Sequence, residues 1–186
     1  MEKRTAKYGT EKAGIVPGYC RKEHPMQLFE IQDIKSFTTE LFVRDMFDAF
    51  ELFEADFVTF ASFHMDGKIQ SDYYDTAERE SMGSRDRASW KEMKPFCLSL
   101  IRGKRLPLYF KIVLRLPGRH PLCAENGALE HEASSQNLYL NIRYSDKTLT
   151  CTTGASSAVF EPGFKPGAEW DLQARTLIRP FSSDVR

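Results

Sequence analysis

The chain has 186 residues, of which 41% are hydrophobic, and its formal net charge at pH 7 is zero. This size and composition predict one globular domain with a single core. No run of the sequence reaches the ~20 apolar residues that span a bilayer, and the N-terminus has no apolar stretch typical of a secretory signal. The sequence therefore predicts a cytoplasmic protein with no membrane partner.

Residues 1–25 differ from the rest of the chain, because they carry six basic and three acidic residues, scattered glycines and no sustained apolar period. We interpret residues 1–25 as a flexible leader. Residues 26–180 are predicted to form one α+β domain that folds without this leader, and residues 181–186 are predicted to be a frayed tail.

The domain is predicted to begin with a strand and a helix. The strand is assigned to Met26–Ile31, where Leu28 and Phe29 favour extended structure. From Ile31 onward, apolar residues recur at the spacing of one helical stripe, which predicts a helix over Gln32–Arg44.

Aromatic and β-branched residues next indicate extended structure, first in the short run Phe50–Phe53. Val58–Met65 and Lys68–Tyr74 are then predicted to pair as a hairpin around Asp66-Gly67, a dipeptide that accepts the positive φ angles of a tight turn. Replacing Gly67 with valine is therefore expected to cost on the order of 1–2 kcal/mol.

A second helix and a long strand follow. Ser89 is the predicted helix cap, and Gly103 is predicted to end the helix. Pro95 lacks an amide donor and clashes with the preceding turn, so we expect a break after one helical turn and a restart near Pro95. Strict alternation over Leu108–Leu116 predicts a half-buried strand.

The remaining elements are a loop, a second hairpin and a final helix. Their predicted bounds are a loop at Pro117–Gln136, strands at Leu138–Ile142 and Thr148–Thr153 joined by Ser145-Asp146-Lys147, and a helix at Trp170–Ile178 that stops at Pro180.

The order of strand, helix and strands thus occurs twice along the chain. It predicts an α+β fold with a largely antiparallel sheet or sheets backed by two or three helices. This repeated order resembles one domain of the DNA sliding clamps, in which helices line a positively charged ring. The resemblance implies a fold and, by analogy only, a nucleic-acid partner.

The charge is distributed unevenly along the chain despite its zero sum. Residues 40–80 contain eleven acidic and three basic residues, whereas residues 84–119 contain ten basic and two acidic ones. Charge blocks of this kind are most often solvated faces. The basic block could instead bind an anion. Basic groups at a helix C-terminus also interact favourably with the helix dipole, so their presence there does not require a ligand.

We single out six residues of the basic block as a candidate nucleic-acid-binding site. They lie on the predicted second helix and at its two ends, and they are Arg87, Lys91, Lys94, Arg102, Lys104 and Arg105. Cations grouped in this way are suited to bind phosphates.

Other chemistry is weakly indicated. Ser62, His64 and Asp66 alternate on one strand, whereas a nucleophile and its base usually converge from different elements. The acidic residues of the segment 72–80 lack the glycine and the ligand spacing of a calcium loop. The four cysteines contain no C-x-x-C pair and are interpreted as reduced thiols. No catalytic residue, metal ligand or cofactor is predicted.

Three stretches of the chain resemble a small bacterial family of unknown function, found in anaerobic Gram-positive species. They are Ile31–Phe37, Trp90–Leu114 with its Lys94-Pro95-Phe96-Cys97 and Leu100-Ile101-Arg102-Gly103-Lys104-Arg105 motifs, and Leu140–Gly154 ending in Leu149-Thr150-Cys151-Thr152-Thr153-Gly154. The similarity covers most of Met26–Arg179 and implies no activity. The chain departs from the family most in residues 1–25 and 117–136.

The sequence as a whole favours a non-enzymatic interaction or anion-binding module. Nucleic acid is the favoured partner, a protein-interaction scaffold is the alternative, and an enzyme with an unrecognised site ranks third. Neither the patterns nor the resemblances specify an oligomeric state.

Overall fold

The computed structural model describes residues 26–83, 85–117, 136–157 and 166–182. In chain order, its helices and strands are β1 (Leu28–Ile31), α1 (Ile34–Phe42), β2 (Glu51–Val58), β3 (Ser62–Met65), α2 (Thr76–Met82), α3 (Trp90–Ile101), β4 (Tyr109–Pro117), β5 (Gln136–Ser145), β6 (Thr148–Ser157) and α4 (Pro166–Ile178). Short 3₁₀ turns follow β3 at Ser71–Tyr73 and α4 at Arg179–Phe181. The predicted leader and the interior of the predicted loop between β4 and β5 lie outside the described residues.

The strands form one antiparallel six-stranded sheet in the order β1-β6-β5-β4-β2-β3. The predicted α+β class is confirmed. The sliding-clamp-like repeat is not confirmed. The first strand, β1, pairs with the last strand, β6, and two helices, α2 and α3, stand where a repeat of β1 and α1 would place a strand and a helix.

Alternation along the strands places one face of the sheet against the helices. On β4, for example, Phe110, Ile112 and Leu114 are buried in the core. Each tryptophan also satisfies its polar atom there: the Trp90 indole donates to the Leu41 carbonyl at 2.7 Å, and the Trp170 indole donates to the Tyr139 carbonyl at 3.0 Å.

The predicted hairpin around Asp66-Gly67 is wrong. Glu51–Phe53 and Val58 belong to a single strand, β2, which has an irregularity between Leu52 and Glu54, and β2 turns into β3 at 59–61. Gly67 does have a positive φ of 65°. The dipeptide therefore predicted the positive φ correctly, but a positive φ does not require a strand on each side of it.

Gly67 is required for a second reason, which is a close approach between two backbone segments. A Cβ atom at Gly67 would lie 2.1 Å from the Leu52 carbonyl oxygen. The glycine therefore lets the chain after β3 pass directly over the start of β2.

The predicted break at Pro95 is also wrong, because α3 runs without interruption from Trp90 to Ile101. Proline removes one backbone hydrogen bond, but other interactions hold the helix. Ser89 and Glu92 form a complete capping box at its start, and Trp90 and Cys97 anchor it in the core.

The second hairpin is confirmed, since β5 turns into β6 through Asp146 and Lys147, which have φ angles of 51° and 62°. The final helix is confirmed as α4. The folded unit extends beyond residue 180, because Phe181 is buried against Phe37 with ring centroids 5.5 Å apart. Ser182 also bridges to Ile31 of β1.

Candidate anion-binding surface

Arg87 is held inside the molecule. Its guanidinium lies 4.1 Å from the centroid of the Phe53 ring and donates to the carbonyl oxygens of Phe53 at 2.9 Å and Asp66 at 2.8 Å. The residue is only 9% exposed. Its cation thus joins β2 to the segment after β3, and the structure does not present it as part of an open basic surface.

Lys94 is held in the same way on the inner side of α3. Its ammonium group forms an ion pair with Asp48 and donates to the Arg44 carbonyl at 2.6 Å. Both partners lie between α1 and β2, in the acidic part of the sequence. Lys94 therefore fastens α3 to the connection that follows α1.

Two further cations of the basic block lie on β4 and pair with acidic residues of β2. Lys111 donates to Glu54 at 2.7 Å. Arg115 donates to Glu51 at 2.6 Å and to Asp86 at 2.5 Å. The hydrogen bond from Lys111 to Glu54 raises the pKa of Lys111, and the hydrogen bond from Arg115 lowers the pKa of Asp86. Adjacent strands thus neutralise part of both charge blocks.

Four other cations of the basic block, residues 84–119, are exposed, and their side chains make no hydrogen bond or ion pair within the described residues. These free cations are Lys91, Arg102, Lys104 and Arg105. The engaged cations, by contrast, are Arg85, Arg87, Lys94, Lys111 and Arg115. Of the six predicted site residues, the structure leaves four free and encloses two.

The free cations follow the exposed face of α3 and its exit. Lys91 and Arg102 are eleven positions apart, close to three full helical turns, so they lie on the same side about 16 Å apart along the axis. Phe96 lies between them along the axis but about 120–140° away around it, and it is 64% exposed. Arg102 ends the helix with an extended backbone, and its amide donates to the Leu98 carbonyl at 2.9 Å.

The exit segment then runs beside the β2–β3 turn. The Leu108 amide donates to the Val58 carbonyl at 2.9 Å, immediately before that turn. Leu106 and Leu108 are exposed, as is Phe60 at the tip of the turn. Lys104 and Arg105 therefore border a small apolar area at this end of the sheet.

One carboxylate shares the exposed side of α3 with the free cations, and it is already neutralised. Glu92 accepts from Arg85 at 3.0 Å and from the Ser89 amide at 2.9 Å. Burial opposes ionisation of Glu92, but the hydrogen bonds from Ser89 and Arg85 outweigh burial and hold its pKa below the ordinary value. The surface along α3 consequently keeps the positive charge of Lys91 and Arg102.

The other predicted chemistries find less support in the geometry. His64 pairs with Asp56 of β2 at 2.7 Å, so its imidazole is directed to a neighbouring strand. In the acidic segment, Asp75 and Glu78 form the capping box of α2. Among the described residues, no three metal-ligating side chains converge. An open depression of about 350 Å³ borders His64 and Met93.

The two cysteines in the described residues are buried free thiols, Cys97 and Cys151. Burial raises the pKa of Cys97 to about 12, and burial also raises the pKa of Cys151. Thiols with raised pKa values are poor nucleophiles at neutral pH. Cys20 and Cys123 lie outside the described residues.

The chain belongs to a family of unknown function, DUF5721, whose model matches residues 40–181. This match confirms the predicted membership of an uncharacterised family and brings no activity with it. No curated protein and no solved structure matches the chain. No helix in the described ranges has the length and apolar composition needed to cross a membrane.

Proposed function

We propose that this protein binds a polyanion, and that nucleic acid is its partner. The observation that carries the proposal is the set of four free cations along α3 and its exit. Exposed cations without internal partners contribute little to folding stability, since even surface ion pairs contribute only ~0–1 kcal/mol. Because these cations are grouped on one surface, they can bind the negative charges of an external ligand.

Phosphate binding is supported by the residue types and by their spacing. Arginine presents a planar fork that matches phosphate oxygens, and lysine contributes a compact charge. Lys91 and Arg102 extend the positive charge over about 16 Å of helix. A chain of phosphates can contact all four free cations at once, which a single small anion cannot do.

The test is a charge reversal of the exit segment. Fluorescence anisotropy is measured with labelled duplex and single-stranded oligonucleotides at several salt concentrations, on the wild type and on the R102E/K104E/R105E variant. The wild type is expected to bind at ~50 mM salt, where electrostatic association is strong, and the variant is expected to lose binding. The control is Lys111→Met, which removes an engaged cation and should preserve affinity.

A wild type that fails to bind either oligonucleotide at ~50 mM salt would overturn the nucleic-acid proposal. A protein-interaction scaffold is the second candidate, favoured by the exposed Phe60, Leu106 and Leu108 beside the exit segment. Its partner would combine an apolar patch with acidic residues. Binding of an acidic protein partner that is lost in L106S/L108S, with no binding to either oligonucleotide, would support this candidate.

A cytoplasmic location belongs to the same proposal. It is supported by the free thiols of Cys97 and Cys151, since a reducing compartment keeps thiols unpaired. It is also consistent with a nucleic-acid partner.

A further inference from the structure

We infer that the nucleic acid is bound as a single strand, with one base stacked on the ring of Phe96. This inference rests on the proposed function and adds the class of nucleic acid and the residue that selects it. Single-strand binding surfaces combine a basic track for the backbone with exposed aromatic rings for the bases. The exposed side of α3 carries both features.

The position of Phe96 is unusual for an aromatic residue of an amphipathic helix. The core side of α3 is supplied by Trp90, Lys94 and Cys97, and Phe96 lies on the opposite side with 64% of its surface exposed. The side chain thus contributes little to the core. Lys91 precedes it by five positions and Arg102 follows it by six, both on the exposed side of the helix.

Two other aromatic residues are highly exposed, and both have ring partners. Phe60 contacts Phe63 with centroids 5.9 Å apart, and Tyr73 contacts Tyr74 at 5.2 Å. No aromatic ring within the described residues contacts Phe96. Its face is therefore open to a base, whereas a paired duplex keeps its bases stacked on each other and offers Phe96 no free face.

Charge complementarity decides between a nucleic acid and a lipid surface. The free cations form a line along one helix and its exit, which follows a linear polyanion, and Phe96 lies beside this line, about 120–140° around the helix axis from Arg102 and Lys91. A membrane surface would instead be expected to contact Phe60, Leu106 and Leu108 together, and these residues lie at the end of this line. We therefore commit to a single-stranded nucleic acid and use vesicles as an arm of the test.

The experiment measures anisotropy with three labelled probes of about 15 nucleotides: oligothymidylate, an abasic strand with the same phosphates, and a duplex. The wild type should bind oligothymidylate more tightly than the duplex and the abasic strand. Phe96→Ala should weaken oligothymidylate binding by about 5- to 100-fold, the range of a lost base–aromatic stack. Its affinity for the abasic strand should stay that of the wild type.

Matched variants separate stacking from general apolar contact. Phe96→Tyr keeps the ring and should retain affinity, whereas Phe96→Leu keeps apolar bulk and should bind like Phe96→Ala. Tyr73→Ala removes an aromatic residue that is 83% exposed but already has a ring partner in Tyr74, and it should leave binding unchanged. Because Phe96 and Tyr73 are both largely exposed, all four variants should fold.

The outcomes distinguish this inference from the function on which it rests. If R102E/K104E/R105E loses binding but Phe96→Ala binds oligothymidylate like the wild type, the stacking inference is wrong and the proposed function stands. If the wild type binds no probe, both are wrong. If it binds only vesicles of equal parts phosphatidylcholine and phosphatidylserine, the surface is a lipid-binding one and the inference is overturned.

Discussion

The engaged and free cations come from one basic segment of the sequence, yet they differ in exposure and in whether an acidic residue pairs with them. Lys94 is buried in an ion pair with Asp48, while Lys91, three residues earlier on the same helix, is exposed and unpaired within the described residues. On β4, Lys111 and Arg115 pair with β2, while Lys104 and Arg105 in the preceding loop face solvent. Charge alone therefore does not identify a binding residue.

This comparison shows that the sheet topology decides which acidic residue pairs with each cation. Glu51 and Glu54 of β2 meet Arg115 and Lys111 because β4 is the strand that pairs with β2. The exit of α3 instead runs beside the β2–β3 turn at 59–61, which carries no acidic residue. The cations that remain free after this internal pairing are the ones available to a ligand.

The largest expected effect on stability comes from replacing Gly67, which lies beside the engaged cation Arg87. Gly67 adjoins the Asp66 carbonyl that binds Arg87, and a Cβ atom there would overlap the Leu52 backbone. Gly67→Ala should therefore destabilise the protein by more than about 3 kcal/mol, since positive-φ strain and a backbone overlap add together. Urea unfolding measures the loss of free energy.

Two other glycines are the controls for this prediction. Gly83 has a positive φ but open space around it, so Gly83→Ala should cost about 1–2 kcal/mol. Gly103, among the free cations, has open space and no positive φ, so Gly103→Ala should change stability by less than about 0.5 kcal/mol. Equal costs at Gly67 and Gly83 would contradict the close approach to Leu52.

The second effect compares Lys94 with Lys91 directly. Lys94→Met leaves the Asp48 carboxylate without its cation, so we expect a loss of about 2–4 kcal/mol in the free energy of unfolding. Lys91→Met removes an exposed charge and should change stability by less than about 0.5 kcal/mol. Adding Asp48→Asn to Lys94→Met should recover part of the loss. Similar unfolding curves for the two lysine variants would contradict the claim that engaged cations stabilise the fold and free cations do not.

The smallest effect concerns an exposed ion pair, His64 with Asp56. The hydrogen bond that His64 donates to the Asp56 carboxylate raises the pKa of His64 above its ordinary value, although the imidazole is exposed. The pair therefore adds stability below about pH 6.5 and loses it as the pH rises through the folded-state pKa. An NMR titration should find this raised pKa, and Asp56→Asn should lower it. No change in Asp56→Asn would mean that the pair does not form in solution.

Much of the fold could be predicted from the sequence, because alternation and helical spacing are local signals. They located α1, β4, the β5–β6 hairpin and α4. Asp66-Gly67 misled the prediction because a positive φ serves equally in a turn and in a close approach. Pro95 misled it because a capping box and buried neighbours outweigh one lost hydrogen bond.

The binding surface was predicted only in part. The exposed Phe96 was missed, because the predicted break at Pro95 hid the helical phase that carries Phe96 away from Trp90 and Cys97. An uninterrupted helix drawn through Pro95 would have placed Phe96 on the outer side. Arg87 and Lys94 could not be separated from the free cations, since their partners come from segments 21 to 50 residues away.

The most direct test of the account is the salt dependence of oligothymidylate binding. Each phosphate contact on a single strand contributes about −0.7 to the slope of log affinity against log salt, so four free cations predict a slope near about −3. Lys91→Met should reduce that slope by about 0.7, and Lys111→Met, which removes an engaged cation, should leave it unchanged. A slope that responds equally to both substitutions, or to neither, would contradict the claim that the free cations bind the phosphates.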